Sequence, residues 1–334
     1  MAGGGGAIGL AAAVPGEAAA LATAVSWAFT ALFFAAAARR LGSSLVNLVR
    51  LALATLLLGG IVAATGAASA IPRGQAACLV LSGVVGLALG DAAYFRALEH
   101  LGPRRASLLM TVAPVFAAIL MVPLLDEGLG LPGIVGMAVT IGGVAWVQGE
   151  REGNGDPHPH AARGVLFGVL GSLGQAGGYV LAKAGLGAAP AGSALAAWAG
   201  IEAAPGAAVA GEPVAALYGT FVRMAAATAF AAVGAALLRR PRNFADLLRD
   251  RKGALATAGG TVMGPVLGVW MSLYAVSHAN TAVASTILAT SPVFVIPLVR
   301  FAHGERASWR AWAGTVIALA GVAILAFRRS LIGG

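Results

Sequence analysis

The sequence predicts an all-α integral membrane protein with ten transmembrane helices arranged as two inverted five-helix repeats. Three observations lead there. Of 334 residues, 59% are hydrophobic and only 10% charged, where ordinary soluble domains carry about 25% charged residues. Apolar runs of about 20 residues, each able to cross ~30 Å of hydrocarbon, recur along the whole chain. The segment from Gly86 to Glu127 also meets a second copy, Gly264 to Glu305, at a shift of 178 residues. That shift carries Gly90 to Gly268, Ala97 to Ala275, His100 to His278, Pro114-Val115-Phe116 to Pro292-Val293-Phe294, and Gly143 to Gly321.

Taken in order, residues 1–14 open Gly-rich and are expected to be disordered. The first repeat, 15–148, holds spans at about 15–38, 44–66, 76–98, 102–125 and 130–148. Residues 149–162 are polar and rich in Gly and Pro, as a linker is. The second repeat, 163–327, holds spans at about 163–187, 214–237, 254–277, 280–300 and 309–327, with a tail at 328–334. Arg50 matches Arg223 at a shift of 173, whereas the first and sixth spans match best near 148. The second repeat therefore carries an insertion at 188–213, read as a surface loop or a lid. An odd number of spans per half makes two like-folded halves lie upside down to one another, with a solute site expected between them near the midplane.

The net charge of +9 does not suggest nucleic acid, because the basic residues sit at the ends of apolar runs rather than in one stripe. The single cysteine, Cys78, excludes an internal disulfide and reads as a core thiol. No Lys or Arg precedes Arg39, so no cleaved signal peptide is expected. His158 and His160 are linker filler, Glu127 and Glu305 turn ties, and Trp309 and Trp312 interfacial anchors. No cofactor or metal is expected.

Candidate chemistry concentrates in few residues. Pro114 and Pro292 lie inside the fourth and ninth spans and are expected to free the carbonyls of Met110 and Leu288, with Thr111, Thr290 and Ser291 beside the breaks. Small residues four apart, Gly86 and Gly90, Gly264 and Gly268, Gly164 and Gly168, Gly174 and Gly178, predict close helix packing. Asp91 is a carboxylate well inside the third span, where it costs ~2.5–3.5 kcal/mol on insertion scales. It reads either as a proton-coupling or substrate-amine site, or as a structural ion pair with Arg50. Arg50 and Arg223 can also snorkel to the interface. Trp27, Tyr94, Gln175, Tyr179, Trp270 and Tyr274 are pocket walls or packing residues.

With Gly90-Asp91-x-x-Tyr94-Phe95-x-Ala97-Leu98, Pro114-Val115-Phe116 and Glu127, then Ser291-Pro292-Val293-Phe294 and Gly304-Glu305, the sequence resembles the EamA family of the drug/metabolite transporter superfamily. The resemblance covers nearly all of 15–327 and departs at the 188–213 insertion. It implies a ten-helix inner-membrane carrier with alternating access, its central cavity lined by spans one, three, four, six, eight and nine. It implies small metabolite substrates such as amino acids, frequently exported, and cytoplasmic termini. The charge pattern points the other way on the last matter. One side holds only Arg73, Arg328 and Arg329 outside the spans, which places both termini outside.

The expected function is secondary-active transport of a small organic metabolite, as an exporter of amino acids or metabolites, with protons as a candidate coupling ion. A multidrug or uptake permease of the same fold is the alternative. No phosphate-binding loop, H-E-x-x-H or G-x-S-x-G occurs, so ATP hydrolysis and intramembrane enzyme chemistry are disfavoured, as is a non-transporting scaffold.

Overall fold

Alanine supplies much of the first helix, α1 (Gly16–Leu41), with Glu17 in its first turn and Arg39 and Arg40 in its last, a charge order that suits the helix dipole. The computed structural model describes residues 16–68, 70–125, 130–148, 161–187, 192–198, 200, 213–237, 244–278, 287–303 and 308–327. A one-residue turn at Gly42 leads into α2 (Ser43–Thr65), which Gly66 caps by donating its N–H to the Val62 carbonyl. Next come α3 (Arg73–Ser82), a π-helical stretch (Gly83–Gly90) and α4 (Asp91–Met110). They run on as one apolar helix, except that Gly102 breaks it at φ 74°, ψ 172°. Only glycine adopts that conformation without strain, and Pro103 then starts the next turn at a position where its missing N–H costs nothing.

The remaining elements are α5 (Ala113–Leu125), α6 (Gly130–Gln148), α7 (Ala161–Gly185), the short α8 (Ala194–Trp198), α9 (Pro213–Leu237), α10 (Phe244–Arg249), α11 (Arg251–Thr261), a second π-helical stretch (Val262–Gly268), α12 (Val269–His278), α13 (Ser291–His303) and α14 (Trp309–Ala326). Among the described residues seven helices are long and apolar enough to cross a membrane, and three shorter apolar ones accompany them. Their outward faces are greasy: Leu56, Leu131, Leu237 and Phe301 are each more than 70% exposed. Facing water, such surfaces would drive aggregation; facing lipid tails, they are solvated. Inside, hydroxyls bond back one turn, as Thr23 does to Ala19 O at 2.8 Å and Thr257 to Gly253 O at 2.9 Å, so few polar groups are left bare in hydrocarbon. This is a multi-pass membrane protein.

Contacts between repeat mates are reciprocal. A Cβ on Gly143 of α6 would come within 2.7 Å of Gly314 O and against Ala318, while one on Gly321 of α14 would come within 2.7 Å of Gly136 O and against Thr140. Each contact is the other under the 178-residue shift, and the order of the pairs makes α6 and α14 antiparallel. On α2 and α9 the hydroxyls of Thr55 and Thr228, mates at 173, meet at 2.8 Å. Gly86 and Gly90 of the first π-helical stretch pack on Gly178 and Gly174 of α7; Gly264 and Gly268 of the second pack on Thr30 and Trp27 of α1. Between α8 and the bundle, Leu195 packs beside Cys78, Val180 and Ala184, so the start of the inserted segment is anchored to the core. Residues 188–191, 199 and 201–212 of the insertion and the 149–160 stretch of the linker, with His158 and His160, lie outside the described residues, as do Glu127 and Glu305.

The start of α11 ties it to α1. Asp250 accepts the Gly253 N–H at 3.0 Å as N-cap and binds Arg40 Nε and Nη2 at 2.6 and 2.9 Å. The Arg40 guanidinium and the Gly253 N–H hold its carboxyl below the usual carboxylate range. A carboxylate shifted down contributes stability above its unfolded pKa, about 3.9, and loses it as pH falls through its folded value. Both groups face water, so the contribution is small. Asp250→Asn is expected to melt slightly below the native protein at pH 7, with the gap closing below about pH 3.9. Melting curves across pH check this, and a gap that widens on acidification would contradict it.

Candidate functional site

The site grows from the first π-helical stretch. Widening the helix over Gly83–Gly90 disturbs the regular i→i−4 ladder and turns backbone carbonyls towards α2. Two of them are taken up there: Asn47 Nδ2 donates to Ala88 O at 3.1 Å, and Arg50 Nη2 to Leu87 O at 3.0 Å. Arg50 Nε donates to Asn47 Oδ1 at 3.1 Å, and Arg50 Nη2 also forms an ion pair with Asp91 Oδ2. The guanidinium lies near the rings of Phe34 and Phe95, 5.9 and 5.1 Å from their centroids. An ion pair in a greasy interior is stable only when further hydrogen bonds support it, and here Asn47 Oδ1 and Leu87 O accept from the same guanidinium that meets Asp91. Only 4% of the Arg50 side chain and 16% of the Asp91 side chain remain accessible.

A second cation approaches from α9. Gly83 lies directly beneath the Arg223 carbonyl, and the Arg223 Nη2 reaches to within 3.9 Å of where a Cβ on Gly86 would stand. Arg223 lies within electrostatic reach of Asp91 and near Tyr179. Tyr179 O accepts from Gln175 Nε2 at 2.9 Å, and Tyr94 O lies 3.3 Å from Ser107 Oγ. Asp91 is also within electrostatic reach of Tyr94 and Tyr179. The structure thus brings Arg50, Asp91, Tyr94, Tyr179 and Arg223 into one electrostatic neighbourhood, with Gln175 attached through Tyr179.

The helix breaks have a different construction from the one expected of interior prolines. Pro114 and Pro292 are the second residues of α5 and α13, so each sits in a first turn, where a missing N–H breaks nothing. The chain has already left the helix one turn earlier. Thr111 Oγ1 donates to Leu108 O at 2.7 Å, Ser172 Oγ of α7 to Leu109 O at 2.8 Å, and Thr290 Oγ1 to Ile287 O at 2.6 Å. The carbonyls that side chains take up are therefore those of Leu108, Leu109 and Ile287 rather than of Met110 and Leu288. The hydroxyls of Thr111 and Thr290 are used locally. The backbone pattern repeats at the shift: Val112 N to Leu109 O and Val115 N to Val112 O are matched by Thr290 N to Ile287 O and Val293 N to Thr290 O.

Trp27 lies with its indole edge on Gly268, beside the second π-helical stretch. Trp270 is 45% exposed and borders a shallow recess with Leu58, Leu217, Thr220, Pro265 and Val269. The Tyr274 side chain lies outside the described residues. Sequence reasoning missed Asn47 and Ser172, although Asn47 stands one turn before Arg50 on the same helix face and could have been found that way. Among the described residues no cluster of His, Cys, Asp or Glu could hold a metal ion.

Comparison with known proteins decides the family. Residues 14–148 and 192–327 each match the EamA-like transporter family. The chain belongs to the EamA-like transporter family. That makes the protein a transporter of the drug/metabolite type. In this EamA-like protein helix α7, which carries Ser172, Gln175 and Tyr179, lies between the two matched blocks. No curated protein matches the chain. A solved crystal structure of a protein is similar in fold, with a TM-score of 0.56 at 15% identity, covering 94% of this chain and 99% of its own.

Proposed function

We propose that this EamA-like transporter is a secondary-active, alternating-access carrier that exports small organic metabolites, amino acids or their relatives, across the inner cell membrane. The seven long and three shorter apolar helices read as ten crossings, with Pro103–Met110 joining α5 in a broken fourth crossing. The reciprocal, antiparallel contact of α6 with α14 favours two inverted halves, 15–148 and 163–327. The observation that carries the reading is the Arg50–Asp91 pair, a buried charge pair beside glycine-thinned helix contacts in a chain of a transporter family. Ionisable groups at such depth mark solute or proton paths more often than scaffolding. Asp91 is the proposed coupling group: taking up a proton would release Arg50 and loosen α2 from the π-helical stretch. Family membership leaves an intramembrane enzyme or a passive scaffold as the weaker reading; a multidrug or uptake permease differs only in cargo and direction.

Proteoliposomes loaded with radiolabelled amino acids, under an imposed pH gradient, test this. The native protein is expected to show gradient-dependent flux, and Asp91→Asn to lose the pH dependence while still being recovered folded. No flux for any amino acid above empty vesicles would sink the cargo, and unchanged pH dependence in Asp91→Asn would sink the coupling role.

A further inference from the structure

The Arg50–Asp91–Arg223 cluster holds two guanidinium groups and one carboxylate, and the second guanidinium is incompletely served. Arg223 Nε is shielded from solvent and, among the described residues, no atom accepts a hydrogen bond from it. Arg50 Nη2 meets Asp91 Oδ2 and Leu87 O, and Arg50 Nε meets Asn47 Oδ1. Asp91 therefore balances Arg50 in contact and reaches Arg223 only at longer range. The cluster as built carries one surplus positive charge inside a membrane protein, a state that costs several kcal/mol unless an anion shares the space.

We infer that Arg223 is the binding group for the carboxylate of the transported solute, so that the carrier takes small carboxylic acids, amino acids among them, in their anionic-headed form. This rests on the transport reading above. A guanidinium presents a planar fork that matches a carboxylate in two parallel bonds, which a lone ammonium or amide cannot do. The surroundings fit such a guest: Gly86 puts no side chain against Arg223 Nη2, and the Tyr179 hydroxyl, which accepts from Gln175 Nε2 and keeps its own proton to donate, stands in the same electrostatic neighbourhood. The asymmetry of the repeat fits as well. Arg50 and Arg223 are mates, yet Asp91 falls on Val269, so only the first arginine has a built-in carboxylate. A solute carboxylate supplies to the second what Asp91 supplies to the first.

The experiment uses the full chain with free amino acids and their C-terminal amides. In proteoliposomes, free amino acids are expected to compete with the labelled substrate and the amides not to compete. Arg223→Gln is expected to raise KM by ~30-fold or more, the usual consequence of leaving a buried charged hydrogen bond unmade, with Arg223→Lys in between. Equal competition by amides, or a KM unchanged in Arg223→Gln, overturns the inference while leaving transport itself standing. Thermal stabilisation of the purified native protein by the free acids over the amides reads the same contact without flux. If flux is absent but that selectivity is present, the carrier reading fails and the anion site survives. If neither free acids nor amides stabilise the protein, or both do so equally, the site falls. If Arg223→Gln does not fold, the native protein's choice between acid and amide decides alone.

Discussion

Arg50→Ala is expected to lower stability by about 3–5 kcal/mol, because it leaves the Asp91 carboxylate buried with no contact partner. Three further losses act in the same direction. The Leu87 carbonyl and the Asn47 side-chain oxygen each lose a donor, and Phe34 and Phe95 lose the cation between them. The double variant Arg50→Ala, Asp91→Ala should recover most of the loss, since removing both charges eliminates the desolvation cost that the single change exposes. Arg50→Lys keeps the charge but cannot reach Asp91, Leu87 O and Asn47 together, and should fall between the native protein and Arg50→Ala. Cys78 offers a direct readout: it is the only cysteine and is wholly buried, so a thiol-reactive fluorophore reports unfolding without other labelling. A double variant no more stable than Arg50→Ala would show that the pair's charges are not what the single change exposes.

The all-helical membrane class was legible because it follows from quantities that tertiary context cannot reverse. Length and apolarity of the runs around Ala28, Leu57 and Val144 demand membrane-crossing helices, and the boundaries of α1, α2 and α6 fall within a few residues of those expected. The repeat was legible because Gly143 and Gly321 must be small for the same reason on both sides of one contact. The helix breaks were only half legible. Proline marks where a helix cannot continue, and the sequence does not say whether the chain adapts after the proline or one turn before it. Here Thr111, Ser172 and Thr290 made the earlier exit possible by supplying donors to the carbonyls released. The two π-helical stretches were invisible, since the first contains no proline and its carbonyls Leu87 O and Ala88 O find their donors, Arg50 and Asn47, on another helix. At the site, Arg50 and Asp91 could be paired from depth alone. Arg223 could be placed only once α9 was seen to cross at Gly83.

That crossing yields the other large effect. Gly83→Ala is expected to destabilise the protein by about 3 kcal/mol or more, at the upper end for overpacking. The added Cβ would be driven into the Arg223 carbonyl oxygen, with the Arg223 carbonyl carbon and Cα at 2.9 and 3.0 Å. These are backbone atoms in the middle of α9 and cannot rotate aside as a side-chain tip would. Relief requires α9 to move bodily away from the π-helical stretch, which also pulls at Met224 and Ala227 where they pack on Leu87 and Ala88. Helix propensity works the other way but is smaller, since alanine improves on glycine by about 1 kcal/mol. Gly60→Ala on α2 isolates that propensity gain, because a Cβ there meets nothing within 4 Å; it should be neutral or slightly stabilising. The Cys78 assay compares the two variants directly. Gly83→Ala should also displace the Arg223 guanidinium from the Asp91 neighbourhood, so any folded fraction should bind solute more weakly than its stability alone accounts for. Equal melting of the Gly83 and Gly60 variants would mean that α9 does not rest on Gly83, and Arg223 would then lose its place beside Asp91.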